Sequence, residues 1–225
     1  MGKCIWVKSL LLIIVVAVSN LAAVAQSDAN SIVTLNGGRT ILHLGAQKNT
    51  VVPAETLPAT VVKIYSNLGT KNMVYNGNAG NGIVGKNAGQ LFPEAVANAF
   101  TPTADHVVQA VQVALGYISG TNAVEVALTE DINGNPGKAL RIWRLINLPN
   151  FGECCALQTL VDKAGIPVKA KTQYWVVVAP DLDSDTYAVW DNNINNLSGT
   201  WDNNTGSGWN GESYQTLNAY AVYGK

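Results

Sequence analysis

Charge is scarce in this chain. Lys, Arg, Asp and Glu make up 13% of its 225 residues, with a formal net charge of −1. That is about half the usual share of ~25%. The clustered Lys and Arg that displace counterions from a phosphate backbone are missing, which excludes nucleic acid as a partner. The same balance excludes electrostatic attachment to anionic membranes. Histidine is nearly absent: His43 and His106 are the two present, and neither sits in a nucleophile motif. There is no Gly-x-Ser-x-Gly elbow, no His-Glu-x-x-His pair and no phosphate loop. No catalytic residue is therefore assigned, and the chain reads as a non-enzyme. Paired acids from distant strands leave no local signature, so an extracellular hydrolase stays as a third reading.

Cysteine is equally sparse. Of Cys4, Cys154 and Cys155, the first lies in the N-terminal stretch described next, and the other two are adjacent. In an oxidising compartment they can close a vicinal disulfide. Neighbouring Cα atoms lie about 3.8 Å apart across a trans peptide, short of the roughly 4.4–6.8 Å usual for disulfides, so such a ring demands a tight local turn. Two packed thiols and a bridge to another chain are the alternatives. A structural zinc site wants four ligands, and only the two histidines could complete one.

Long apolar runs are confined to the start. Lys3 and Lys8 precede Leu10, Leu11, Leu12, Ile13, Ile14, Val15 and Val16, and Ala23-Val24-Ala25 stands before Gln26. A basic start, a short apolar run and a small-x-small site are the layout of a secretory signal peptide over residues 1–25. The run falls short of the roughly 20 residues that span a bilayer. Removing 25 of 225 residues leaves 200, takes two lysines and no acid, and moves the formal charge from −1 to −3. The expectation is a secreted protein, in the medium, the periplasm or at the cell surface, with no membrane segment after cleavage.

Residues 26–58 mix Asn, Gly, Ser and Thr with short apolar pieces, and Pro53 and Pro58 bracket a break. They read as a loosely packed lead-in. Residues 59–225 then alternate short apolar stretches with Gly, Asn and Pro clusters. In 123–130, Val124, Val126 and Leu128 face one way and Glu125 and Thr129 the other, the period of a strand with one buried face. Residues 131–137 (Asp131-Ile132-Asn133-Gly134-Asn135-Pro136-Gly137) interrupt, giving a hairpin with a long polar turn, and 140–145 resume. Residues 174–179 (YWVVVA) are too uniformly apolar for a solvated face and predict a central strand. Residues 76–89 read as turn chemistry, and 157–164 fit strand or helix spacing. The sum predicts an all-β, antiparallel β-sandwich of jelly-roll type, with a core sufficient without several disulfides. No repeat of the solenoid or propeller kind is evident.

Several short pieces carry a resemblance. They are Phe100-Thr101-Pro102, Ala114-Leu115-Gly116-Tyr117 with Ser119-Gly120-Thr121, Gly134-Asn135-Pro136-Gly137, and Phe151-Gly152 before Cys154-Cys155. Residues 172–178, Gly208-Trp209 and residues 219–224 follow in order. Over roughly 59–225 the chain resembles the exported bacterial choice-of-anchor proteins, whose relatives differ in their C-terminal anchors. The resemblance implies the sandwich and export, and brings no catalytic residues. Here the last strand is followed by Lys225 with no anchor motif, which implies a freely secreted form.

Two constellations are candidates for binding. Asp181, Asp183 and Asp185 place three carboxylates in one loop, a calcium site or a solvated acidic loop. Asp131, Asn133 and Asn135 alternate like the start of an EF-hand, but Pro136 and Ile142 stand where that loop needs Gly and Glu. The aromatics Trp190, Trp201, Trp209 and Tyr214 fall among Asn192, Asn193, Asn203 and Asn210. Aromatic faces beside amides can stack on sugar rings and bond their hydroxyls, making a polysaccharide or cell-surface component the partner class. Capping of the core is the competing account for these rings, and Trp143 and Trp175 are assigned to the core. A carbohydrate-binding module is thus the sharper expectation, and a structural or matrix protein its rival.

Overall fold

The computed structural model describes residues 56–70, 73–180 and 184–225, together with the backbone of two strands nearer the N-terminus. Those two, β1 (Ser31–Leu35) and β2 (Arg39–His43), pair as an antiparallel hairpin. The reading of residues 1–25 as a signal, and most of the 26–58 lead-in, lie outside the described residues.

Thirteen further strands follow. They are β3 (Val62–Ser66), β4 (Asn76–Val84), β5 (Ala95–Phe100), β6 (His106–Val113), β7 (Leu115–Ser119), β8 (Ala123–Ile132) and β9 (Asn135–Ile146). Then come β10 (Gln158–Val168), β11 (Tyr174–Pro180), β12 (Tyr187–Asn192), β13 (Ser198–Asn204), β14 (Ser213–Thr216) and β15 (Tyr220–Gly224). The fold is all-β, with antiparallel sheets packed against each other as a sandwich. One layer is a six-stranded sheet in the order β14-β13-β5-β11-β8-β9. Facing it are a four-stranded sheet, β10-β6-β15-β3, and a three-stranded one, β4-β12-β7.

The latter two sheets share a chain, because β6 runs through Ala114 directly into β7. At that joint the backbone is fully bonded. Asp191 N–H donates to the Ala114 carbonyl (2.9 Å), Ala219 N–H to Asp191 (2.7 Å), and Ala114 N–H to Ala219 (3.2 Å).

The central core draws on both layers. Val96, Val126, Leu128, Trp143, Val176 and Val178 from the six-stranded sheet meet Ile83, Val108, Val111, Leu160, Trp190 and Tyr220. The six-stranded sheet also buries its other face. Ala95, Ala97, Ala99, Ala127, Trp175, Val177 and Ala179 form a second cluster there, with Ile142 and Trp209 packed against it. This explains why Glu125 and Thr129 are buried although they alternate with the core residues of β8. The alternation of β8 is real, but its second face is not solvated.

Two local expectations are corrected and one open alternative is settled. Residues 76–84 form strand β4 rather than turns: its glycines permit close packing, and a Cβ at Gly80 would run into the carbonyl of Trp190. The turn between β8 and β9 is short, not long, since Ile132 pairs with Asn135 across Asn133-Gly134. Both turn residues have positive φ, 56° and 80°, as an Asn-Gly type I′ turn requires. The ambiguous 157–164 segment is strand, interrupted by an irregularity between Val161 and Ile166. There Asp162 accepts the N–H groups of Ala164 (2.9 Å) and Gly165 (3.0 Å).

Candidate functional site

At one end of the sandwich, the chain leaving β4 returns to β5 through residues 85–93. Val84 and Glu94 close that loop by exchanging both backbone hydrogen bonds at 2.9 Å. Tyr187 of β12 pairs with Val84 across the sheet, which brings Glu94, Val84 and Tyr187 side by side. The hollow above them measures about 220 Å³ and is lined by Gly82, Val84, Gln90, Leu91, Phe92, Glu94 and Tyr187. Its size falls below the roughly 300–1,000 Å³ of drug-sized ligand sites, so it suits one small group.

Gly82 is the floor. A Cβ there would stand 3.6 Å from Glu94 Oε2 and 3.7 Å from a ring carbon of Tyr187. The carboxylate and the aromatic ring therefore border the same space. Gln90 contributes an amide, while Leu91 (94% exposed) and Phe92 stand at the surface as apolar groups.

Glu94 is positioned by a relay of amides. Asn203 Nδ2 donates to Glu94 Oε1 at 2.9 Å, and Asn210 Nδ2 donates to Asn203 Oδ1 at 2.8 Å. Among the described residues, Asn203 is the side chain that donates to this carboxylate, and it occupies Oε1 only. Burial raises the Glu94 carboxyl above its ordinary range, and the Asn203 hydrogen bond partly opposes that. A second, smaller hollow of about 20 Å³ shares Glu94 with Pro93, Ala95, Ala179, Pro180, Asn204 and Gly206. It has room for about one water molecule.

The aromatics singled out in the sequence do not form one platform. Trp190 is fully buried, its indole N–H donating to the Ala219 carbonyl at 3.0 Å and its ring meeting Tyr220 edge-on. Trp201 is 7% exposed and also belongs to the central core. Both follow from strand alternation, which turns these positions of β12 and β13 inward. They present no face to a ligand, which corrects that expectation. Trp209 packs on the alanine cluster of the six-stranded sheet. Only Tyr214, 78% exposed on edge strand β14, stands in solvent.

Their companion amides divide in the same way. Asn193 is buried, bonding the Leu197 and Leu217 carbonyls and the Leu197 N–H, and Asn192 accepts from Asn218 (3.3 Å). Asn203 bonds the pocket residue Glu94, and Asn210 bonds Asn203.

Of the acidic loop, Asp181 and Asp183 lie outside the described residues. Asp185 accepts both the N–H and the hydroxyl of Thr121 through Oδ1, at 2.7 and 2.6 Å. These bonds hold its carboxyl below the usual range. Among the described residues no group of three or more His, Cys, Asp or Glu side chains could hold a metal ion. Asp131 is structural: it accepts from Trp175 Nε1 (2.8 Å), Gln173 Nε2 (2.9 Å) and Gly134 N–H (3.2 Å). Cys154 and Cys155 are joined as a vicinal disulfide across a cis peptide. Tyr75 braces that turn, its hydroxyl donating to the Glu153 carbonyl and accepting the Ala156 N–H, both at 3.0 Å.

Sequence reasoning missed two groups of residues. Gly82 and Glu94 flank one loop but carry no motif, and Tyr187 lies far along the chain, so only strand pairing brings it to them. Asp191 and Asp202 are buried acids, at 2% and 0% exposure, and a signal did exist for them. Trp-Asp-Asn-Asn occurs twice, at 190–193 and 201–204. No protein-family model, no curated protein and no solved structure matches the chain.

Proposed function

We propose that this chain is an exported, non-catalytic binding module that takes one residue of an extracellular polysaccharide in the hollow over Gly82. The observation that carries this reading is the shared border of Glu94 Oε2 and the Tyr187 ring around a glycine floor. A sugar presents hydroxyls on its edge and C–H groups on its faces. A carboxylate and an amide serve the first, and aromatic and apolar side chains the second. The amides of the C-terminal third enter as supports, through Asn210 and Asn203, rather than as a separate aromatic platform.

Binding is favoured over hydrolysis by the partner of Glu94. Among the described residues the side chain bonded to Glu94 is an amide, Asn203, and not the second carboxylate of a glycosidase pair. Export is supported by the Lys3, Lys8, apolar-run and Ala23-Val24-Ala25 layout and by the resemblance to exported choice-of-anchor proteins.

The test is binding to immobilised polysaccharides and a glycan array, with Gly82→Val and Tyr187→Ala beside the wild type. Saturable binding that both variants lose while still folded is the expected result. If the wild type binds no polysaccharide, the reading fails. A structural matrix or cell-surface module then stands in its place, the role favoured by the burial of Trp190 and Trp201.

A further inference from the structure

The chemistry of Glu94 narrows the ligand class. Its Oε1 is satisfied by Asn203, while Oε2 borders the hollow. No charged side chain among the described residues contributes to the shift of its carboxyl, which burial dominates. A half-buried carboxylate with one oxygen turned to a space lined by Val84, Leu91, Phe92, Tyr187 and the neutral amide of Gln90 has lost much of its hydration. A neutral hydroxyl returns one ordinary hydrogen bond. An ammonium returns a charge-assisted one, roughly twice as strong, and also gains attraction from nearby aromatic rings.

The rings are in place. Tyr187 lies against the same point above Gly82 as Glu94 Oε2, near enough for one small group to touch both, and Phe92 lines the same hollow. A carboxylate and two aromatic side chains, with no Lys or Arg in the lining among the described residues, favour a compact positive charge over an anion or an uncharged group.

Resting on the pocket reading above, we propose that the Gly82 hollow binds its ligand through a primary ammonium group, as carried by a de-N-acetylated amino sugar, set between Glu94 and the rings of Tyr187 and Phe92. The amide relay from Asn210 then has a purpose. It fixes the rotamer of Glu94 without neutralising its charge.

Titration calorimetry with glucosamine trimer and N-acetylglucosamine trimer tests this, using wild type, Glu94→Gln, Tyr187→Ala and the distant control Glu130→Gln. Glutamine keeps an oxygen for Asn203 to donate to and replaces the charged Oε2 with a neutral NH2 donor. The expected result is about a tenfold or greater preference for the free amine in wild type and Glu130→Gln, abolished in Glu94→Gln. Equal affinity for the two trimers overturns the ammonium but leaves the sugar pocket standing. So does a preference that survives Glu94→Gln or that Glu130→Gln removes as well, which marks a non-specific charge effect. If neither trimer binds, this inference falls while the pocket reading is decided by the glycan array; if Tyr187→Ala changes nothing, both fall.

Discussion

Asp191 and Asp202 occupy matching places in the repeated Trp-Asp-Asn-Asn run, one on β12 and one on β13. In each copy the tryptophan enters the central core and the aspartate turns to the opposite side of its sheet, where it is buried all the same. One oxygen of each, Asp191 Oδ1 and Asp202 Oδ2, has no hydrogen-bond partner among the described residues. Burial raises Asp191 from 3.8 to about 8 and Asp202 from 3.8 to about 6. The folded state therefore holds protons that the unfolded chain has released. Stability linked to Asp191 is intact below pH 3.8 and is lost as pH rises toward about 8, because folding must retain a proton against solution. Asp191→Asn removes that linkage. The difference in Tm between Asp191→Asn and wild type should grow in the variant's favour from pH 4 to pH 8, as followed by thermal melts. A difference independent of pH would show that Asp191 is ionised in the fold.

At the scale of elements, the clearest device is the irregularity in β10. Asp162, 6% exposed, accepts two backbone N–H groups there and pairs with Arg141 at 3.1 Å. Removing the carboxylate leaves those donors without their partner in a part-buried strand, which costs about 1–3 kcal/mol for an unsatisfied group. Asp162→Ala should lower stability by that amount in denaturant melts and speed hydrogen exchange at Ala164 and Gly165 first. The central strand β11 was legible in the sequence because 174–179 is apolar on both faces, and both faces are in fact covered. Strand β4 was not legible. Its glycines answer to the neighbouring strand β12, whose Trp190 carbonyl leaves no room for a side chain at Gly80, and that need exists only after folding.

For the whole molecule, stability rests on the two-layer core rather than on the cysteines. The Cys154–Cys155 bond closes the smallest ring a chain can make, and the entropic benefit of a disulfide grows with the length of the closed loop. The double variant Cys154→Ser, Cys155→Ser should lose no more than about 1 kcal/mol in equilibrium unfolding, by the same relation. A loss of several kcal/mol would mean that the 153–156 turn, braced by Tyr75, is needed for the sheets to close.

What the sequence by itself determined was class: all-β architecture, the central strand, the adjacency of the two cysteines and the core role of Trp143 and Trp175. These are local properties, set by two-residue periodicity, β-branched composition and spacing along the chain. Which tryptophans face inward, which acids lose their water and which residues line the hollow were decided by tertiary structure alone. Several depend on a partner distant in the chain, as Glu94 does on Asn203, 109 positions away. Pairing register, which no local pattern of side chains encodes, chooses that partner.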